Sequence, residues 1–369
     1  MKTFPPELVD ITLDFLFDDV LTLIRSSQVC KAWKTERLVR LLSHPLSTLA
    51  PAIRRVCVGS IAQQADLMAL MKQISPCAPV LRFSRSLYLR AITWKDIDDT
   101  CRDMFVSKFG SVTELVLSNI QFGAFDDLAG LLASFPALQR LYFVRVQWLH
   151  GPQRDSMKLL NLPNLKTLEI DYGCQDVVEW LHHCSPEFPS LSTFHLKLSE
   201  IRPTLDKFIP DFTPCLEHVE LAFYRLYPES LHHFTVDLSQ NTVLRSVHLS
   251  HLQLNELGLS GADPSTNSIY VGWVPKVLSS VRAPAAVEKL RFSVWVTAVS
   301  DIDLLDWDSL KRIFLPSTSG LNPYASLNSF VLDLYGKMYD KADRETVERR
   351  IHAALQECRA EKCLKFRWH

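Results

Sequence analysis

The sequence predicts an α/β protein in which a short all-α module precedes a curved parallel sheet built from repeats. Three observations predict it: an L-x-x-L-x-L pattern recurs along the chain, segments with helical spacing separate the copies, and the first helix is apolar around most of its circumference. We divide the chain into a three-helix module at 1–45, a helical linker and cap at 46–80, the repeats at 81–340 and a C-terminal cap at 341–369.

The N-terminal stretch FPPELVDITLDFLFDD has too little polar surface for a solitary amphipathic helix. Pro5 and Pro6 suit the first turn of a helix, and Asp18 and Asp19 end that helix and can cap the next one. A third short helix, TERLVRLL, completes the module. About 40 residues are too few to bury so many large side chains among themselves. The apolar surface is therefore covered either by another protein or, in the alternative, by the rest of this chain.

The same residues resemble the F-box, the helical module that docks substrate receptors onto the Skp adaptor of cullin-RING ubiquitin ligases. The resemblance rests on P-P-E-L at 5–8, L-x-x-L at 13–16 and V-C-x-x-W at 29–33. It implies adaptor contacts by a set of mostly apolar side chains: Pro5, Pro6, Leu8, Leu13, Leu16, Leu21, Leu23, Val29, Cys30 and Trp33. With the repeats that follow, the chain is similar to the F-box proteins with irregular leucine-rich repeats that fungi carry.

The repeats begin at Val112, Leu138, Leu165, Leu191, Leu216 and Leu244, with spacings of 26, 27, 26, 25 and 28 residues. Such a period is typical of leucine-rich repeats, in which each unit is stabilised by stacking on its neighbours. Less regular copies are SRSLYL, VEKLRF, LKRIFL and LNSFVL, starting at Ser84, Val287, Leu310 and Leu327.

The usual Asn or Cys three residues after the last strand leucine is missing, for example at Ile120 and Leu252. We therefore expect an irregular solenoid whose turns differ from those of regular repeats. The final residues, 341–369, predict a charged helix followed by a short strand that caps the array.

The pattern also predicts a binding surface. Because the leucines point inward, the third and fifth positions of each copy project from the exposed face of the sheet. Aromatic and Arg side chains often dominate protein interfaces. The candidate substrate-binding residues are Tyr88, Arg140, Tyr142, Glu169, His195, His218, Glu220, His248, Arg291, Arg312 and Phe314.

Three of these candidates, His195, His218 and His248, fall on successive strands beside Glu220. Neighbouring imidazoles near a carboxylate can titrate around neutral pH. The sequence thus suggests a pH-responsive patch, although ordinary surface histidines would give the same pattern.

Composition excludes several function classes. Forty basic and forty-one acidic residues give a net charge of -1, so we expect neither nucleic acid nor a membrane as partner. Nine scattered cysteines without a Cys-x-x-Cys pair indicate reduced thiols and a cytoplasmic or nuclear protein. No phosphate-binding glycine motif, nucleophile motif or metal-ligand spacing occurs, so we expect no catalytic residues, no metal and no cofactor.

The resemblance implies a substrate receptor that holds the Skp adaptor, and through it a cullin-RING ligase, with the F-box and an unknown protein substrate with the repeats. The alternative is a leucine-rich-repeat scaffold without a role in ubiquitin ligation. A nucleotide-dependent repeat enzyme is a third reading, which lacks any phosphate motif in this sequence.

Overall fold

The computed structural model describes residues 55–61, 65, 68, 84–150, 162–184, 188–198, 215–223, 236–254, 272–282, 286–315, 322–336, 340–356 and 358–369. The F-box-like module at 1–45 and its ten candidate adaptor contacts lie outside these residues. The chain divides into two compact units, Met1–Leu138 and Gln139–His369.

The described residues of the first unit form three parallel strands and, after β2 and β3, two helices. The strands β1, β2 and β3 pair in chain order, and the helices α1 and α2 follow β2 and β3. The elements are β1 Arg55–Ile61, β2 Ser86–Thr93, α1 Asp99–Val106, β3 Glu114–Ala124 and α2 Phe125–Ala133, with short 3-10 turns at Trp94–Asp96 and Ser107–Phe109.

In the second unit, the part of the chain that the structure describes forms eight parallel strands, β4 to β11, also paired in chain order. The strands are β4 Arg140–His150, β5 Thr167–Ile170, β6 Thr193–Leu198, β7 His218–Phe223, β8 Ser246–Gln253, β9 Lys289–Trp295, β10 Ser329–Tyr335 and β11 Leu364–Trp368. The helices are α3 Gln175–Cys184, α4 Trp273–Ser280, α5 Trp307–Phe314, α6 Lys341–Ala354 and α7 Arg359–Lys362, and a 3-10 turn spans Val299–Leu304.

The α/β class and the parallel sheet of the prediction are therefore confirmed, and strand order follows sequence order within each unit, as repeats require. The repeat leucines form the core. In β3, for example, Leu115 and Leu117 are fully buried while Val116 between them is partly exposed. Alternation with a period of two thus separates a core face from an exposed face in strands such as β5 and β6, whereas β10 is buried on both faces from Phe330 to Leu334.

A residue with positive φ explains the irregular turns. Ala91, Asn119, Arg145 and His251 have φ values of 53°, 55°, 51° and 56°, each two residues after the last position of the L-x-x-L-x-L pattern in its copy. One left-handed residue shifts the alternation by one place, so the next side chain points inward. Ile92, Ile120, Val146 and Leu252 are accordingly buried, all four at the position where regular repeats carry Asn or Cys.

Two expectations need correction. The copy LKRIFL is helix α5, not a strand. Asp306 caps this helix by accepting a hydrogen bond from Ser309 N at 2.9 Å, and Leu310 and Phe314, one helical turn apart, are both buried. The segment 46–80, expected to be a helical linker, contains strand β1 at Arg55–Ile61.

Among the described residues, no helix is both long enough and apolar enough to cross a bilayer.

Candidate functional site

The fifth positions of the repeats form one continuous row across the second unit. Pairing of β4 through β11 places Tyr142, Glu169, His195, Glu220, His248, Arg291, Val331 and Lys365 in register on adjacent strands. Parallel strands lie about 4.8 Å apart, so each of these side chains neighbours the next. Six of the eleven predicted substrate-binding residues stand in this row.

Four members of the row form a network that we call the Glu-His ladder: Glu169, His195, Glu220 and His248. His195 Nδ1 lies 3.4 Å from Glu169 Oε2 and 3.9 Å from Glu220 Oε2, so one imidazole stands between two carboxylates. His248 Nδ1 lies 3.4 Å from the same Glu220 Oε2. Acid and imidazole therefore alternate over β5 to β8.

Side chains two residues further along the strands complete the ladder. Lys197 Nζ donates to Glu169 Oε1 at 3.0 Å, and Ser250 Oγ donates to Glu220 Oε1 at 3.1 Å. Ser293 Oγ lies 2.9 Å from His248 Nε2. These three residues occupy seventh positions, which the sequence prediction did not include; extending the same alternation by one step would have found them.

The ladder lowers the pKa of both carboxyl groups. For Glu169, the hydrogen bond from His195 is the largest cause of the lowered pKa, with Lys197 adding to it against the effect of burial. For Glu220, burial acts to raise the pKa, but the hydrogen bond and charge of His248 outweigh it and bring the value to about 2. Both groups are therefore carboxylates throughout the physiological range.

Beyond the ladder, Arg291 pairs with Asp333 on the neighbouring strand. The Arg291 guanidinium donates to Asp333 Oδ2, and His369 Nε2 lies 3.3 Å from Asp333 Oδ1. The ring of His369 stacks on Tyr335 at a centroid distance of 4.6 Å, and Tyr335 stacks on Trp295 at 5.4 Å. Asp333 stands at a seventh position, whereas nothing in the sequence pattern pointed to His369.

Three other predicted residues lie outside the ladder within the second unit. Arg140 and Tyr142 belong to β4, and His218 is an exposed third-position residue in register with Thr193 and Ser246. The proposed trio of histidines is therefore wrong as a single cluster, because the structure brings only His195 and His248 onto Glu220.

Two further predicted residues, Arg312 and Phe314, are wrong as face residues because they belong to helix α5. Phe314 is 2% exposed and packs against Tyr324 and Phe330. Arg312 is exposed and donates to Asp308 O and Ser309 Oγ within its own helix.

Tyr88 lies in the first unit, at the fifth position of β2. Its hydroxyl donates to Glu114 Oε1 at 2.9 Å, and the Arg55 guanidinium lies 5.0 Å from its ring centroid. Glu114 is itself buried and also accepts a hydrogen bond from Ser86. Tyr88 is thus positioned by a local polar cluster of the first unit.

Within the described residues, no group of three His, Cys, Asp or Glu side chains is arranged to hold a metal ion. Cys174 is buried, its Sγ accepts a hydrogen bond from Val146 N at 3.3 Å, and burial raises the pKa of its thiol to about 12. It is therefore a thiol rather than a thiolate at neutral pH, which suits a packing role better than a nucleophilic one.

No protein-family model matches this chain, and no curated protein sequence matches it. Inference about function therefore rests on the residues and their geometry.

Proposed function

We propose that this chain is a protein-binding receptor whose repeat face holds a substrate protein and whose N-terminal module holds a Skp-type adaptor of a cullin-RING ubiquitin ligase. The observation that carries the binding part is the row of partly exposed charged and imidazole side chains on consecutive strands of the second unit. A row of this kind offers a partner several fixed ionic contacts on a rigid sheet.

The rigidity of the row favours recognition. Glu169, His195, Glu220 and His248 each contact at least one neighbour on an adjacent strand. Side chains held in this way lose little conformational freedom when a partner binds, which lowers the entropic cost of association.

The adaptor part rests on the F-box resemblance of residues 4–33. A receptor that binds the adaptor at one end and a substrate at the other acts by proximity: it raises the effective concentration of substrate lysines near the ubiquitin-loaded enzyme. Such a mechanism requires no catalytic side chain in this chain.

The test is co-expression with a Skp-type adaptor, followed by affinity purification and measurement of stoichiometry. We expect a one-to-one complex that is lost on deletion of residues 1–45 and in the Leu8→Asp/Leu16→Asp variant. The matched control is Leu149→Asp, the same chemical change at a leucine that is 54% exposed in the repeats. This control should retain the adaptor.

The opposite result would support the plain scaffold. If the wild-type chain is soluble and folded but captures no adaptor, and if Leu8→Asp/Leu16→Asp instead lowers the melting temperature of the repeats, the N-terminal helices cap the array.

A further inference from the structure

The exposed face of the second unit is divided by charge. On β5 to β8, the fifth and seventh positions of the repeats carry three carboxylates, Glu169, Asp171 and Glu220, and one cation, Lys197. We call the exposed face of β5 to β8 the acidic half. With its imidazoles neutral, three negative and one positive side chains give it a net charge of -2.

The strands β9 to β11 have the opposite character, which makes them the basic half. Their third, fifth and seventh positions carry Lys289, Arg291, Lys365 and Arg367 against the single carboxylate Asp333, so four positive and one negative side-chain charges give +3. Asp333 is buried and already paired with Arg291. Lys289, Lys365 and Arg367 are exposed, so the outward charge of this half is basic.

Register keeps these charges on one face. Val331 pairs with Lys365 and Asp333 with Arg367, so both basic residues of β11 continue the rows to which Arg291 and Asp333 belong. The alternate residue Trp368 donates to Glu348 of α6 on the opposite side of the strand. The described residues of this sheet face therefore present a negative region and a positive region side by side.

We propose that the segment bound on this face carries basic side chains toward one end and acidic side chains toward the other, and lies across the strands with its basic end over β5 to β8. Charge complementarity selects this occupant, because a uniformly charged segment would face repulsion from one half of the surface. The assignment of this segment to a substrate protein rests on the proposed function.

Strand spacing sets the length of the segment. The centre of the acidic half lies between β6 and β7, and the centre of the basic half lies at β10. These two centres are about three and a half strand spacings apart, or roughly 17 Å at about 4.8 Å per strand. An extended chain advances about 3.3 Å per residue, so the centres of the two charge blocks should be about five residues apart.

The experiment uses the full chain and fluorescence anisotropy at low ionic strength, where surface charges are least screened. The probes are two block peptides, with three lysines, Gly-Ser and three glutamates in either order, and an alternating Lys-Glu peptide of the same composition. We expect at least one block peptide to bind roughly fivefold or more tightly than the alternating peptide, since several ion pairs form together.

Charge-neutralising variants test the contribution of each half to peptide binding. Glu169→Gln/Glu220→Gln and Lys365→Gln/Arg367→Gln should each reduce block-peptide affinity by roughly threefold or more. Glu345→Gln, a neutralised glutamate on α6 away from this face, is the matched control and should have no effect.

An all-glutamate peptide of the same length is a further probe. Three outcomes overturn the proposal: block and alternating peptides binding equally, the all-glutamate peptide binding as tightly as the block peptides, or no measurable binding of either block peptide. The adaptor experiment is independent of these results, because it depends on residues 1–45. If the peptides show no charge preference but the adaptor complex forms, the proposed receptor function therefore stands. If the charge preference is found but no adaptor binds, the chain has a binding face without a link to a ligase.

Discussion

The carboxylate of Asp333 is wholly buried, with 0% of its side chain exposed, and the guanidinium of Arg291 on the neighbouring strand pairs with it. Burial acts to raise the pKa of Asp333, but the hydrogen bonds from Arg291 and His369 and the charge of Arg291 together outweigh it and leave the pKa lowered. The pair therefore keeps a charged group inside the sheet, which is tolerated only while both partners are present.

We predict that Arg291→Met lowers the free energy of unfolding by about 3 kcal/mol, because it removes the guanidinium that pairs with the buried Asp333 carboxylate and leaves His369 and the charge of Arg367 as its partners. Urea denaturation measures this change. Lys289→Met, an equivalent truncation at an exposed position of the same strand, should change stability by less than about 0.5 kcal/mol. Adding Asp333→Asn to Arg291→Met should recover most of the loss. Equal effects of the two single variants would contradict a structural role for the pair.

The lowered pKa of Glu220 predicts a specific pH dependence of the free energy of unfolding. Its pKa in the folded protein is about 2, below the ordinary value of 4.5, and its side chain is 18% exposed. A lowered pKa means that Glu220 stabilises the folded state above about pH 4.5 and that this contribution is lost as the pH falls toward 2. The size is on the order of 2–3 kcal/mol.

The measurement is urea denaturation of wild type and Glu220→Gln at several pH values. The difference in free energy of unfolding should be largest above about pH 4.5 and shrink toward pH 2. Glu345→Gln, on the exposed surface of α6, serves as the control and should give a small difference at every pH. A difference for Glu220→Gln that does not vary over this range would argue against the contact with His248.

Sequence reasoning predicted the exposed face because of strict alternation. Once Leu168 and Ile170 are assigned to the core, Glu169 must face outward, and equal spacing of the copies then places it beside His195. Side-chain contacts between the copies needed the structure. The hydrogen bond between Ser250 and Glu220, for example, joins residues 30 positions apart and depends on the register of β7 and β8.

Two wrong predictions each have a physical cause. The spacing of apolar residues in LKRIFL fits one turn of a helix as well as a repeat strand, and only the cap at Asp306 favours the helix. Strand β1, RVCVGSI, contains no leucine, so the leucine pattern does not mark it, although its β-branched residues favour a strand.

The left-handed residue at the end of β2 gives a prediction on stability. Ala91 has a φ of 53°, a conformation that is unfavourable for any residue with a Cβ and freely adopted by glycine. Ala91→Gly should therefore raise the free energy of unfolding by about 1 kcal/mol in thermal or urea denaturation. Ala133→Gly, at the exposed end of α2, is the control and should lower it by up to about 1 kcal/mol. If both variants destabilise the protein, strain at position 91 does not limit its stability.

Phe314 and Arg312 allow the corrected assignment of helix α5 to be tested directly. Phe314 packs edge-on against Tyr324 at a centroid distance of 5.3 Å and lies 5.9 Å from Phe330, so Phe314→Ala should leave a cavity and lower the free energy of unfolding by about 3–5 kcal/mol. Arg312→Ala, exposed on the same helix, should change it by less than about 0.5 kcal/mol. Neither variant should alter binding of charged peptides at temperatures where it remains folded, because neither side chain belongs to the rows that carry the Glu-His ladder. A loss of peptide binding in Arg312→Ala with unchanged stability would instead indicate that this helix is part of the binding surface.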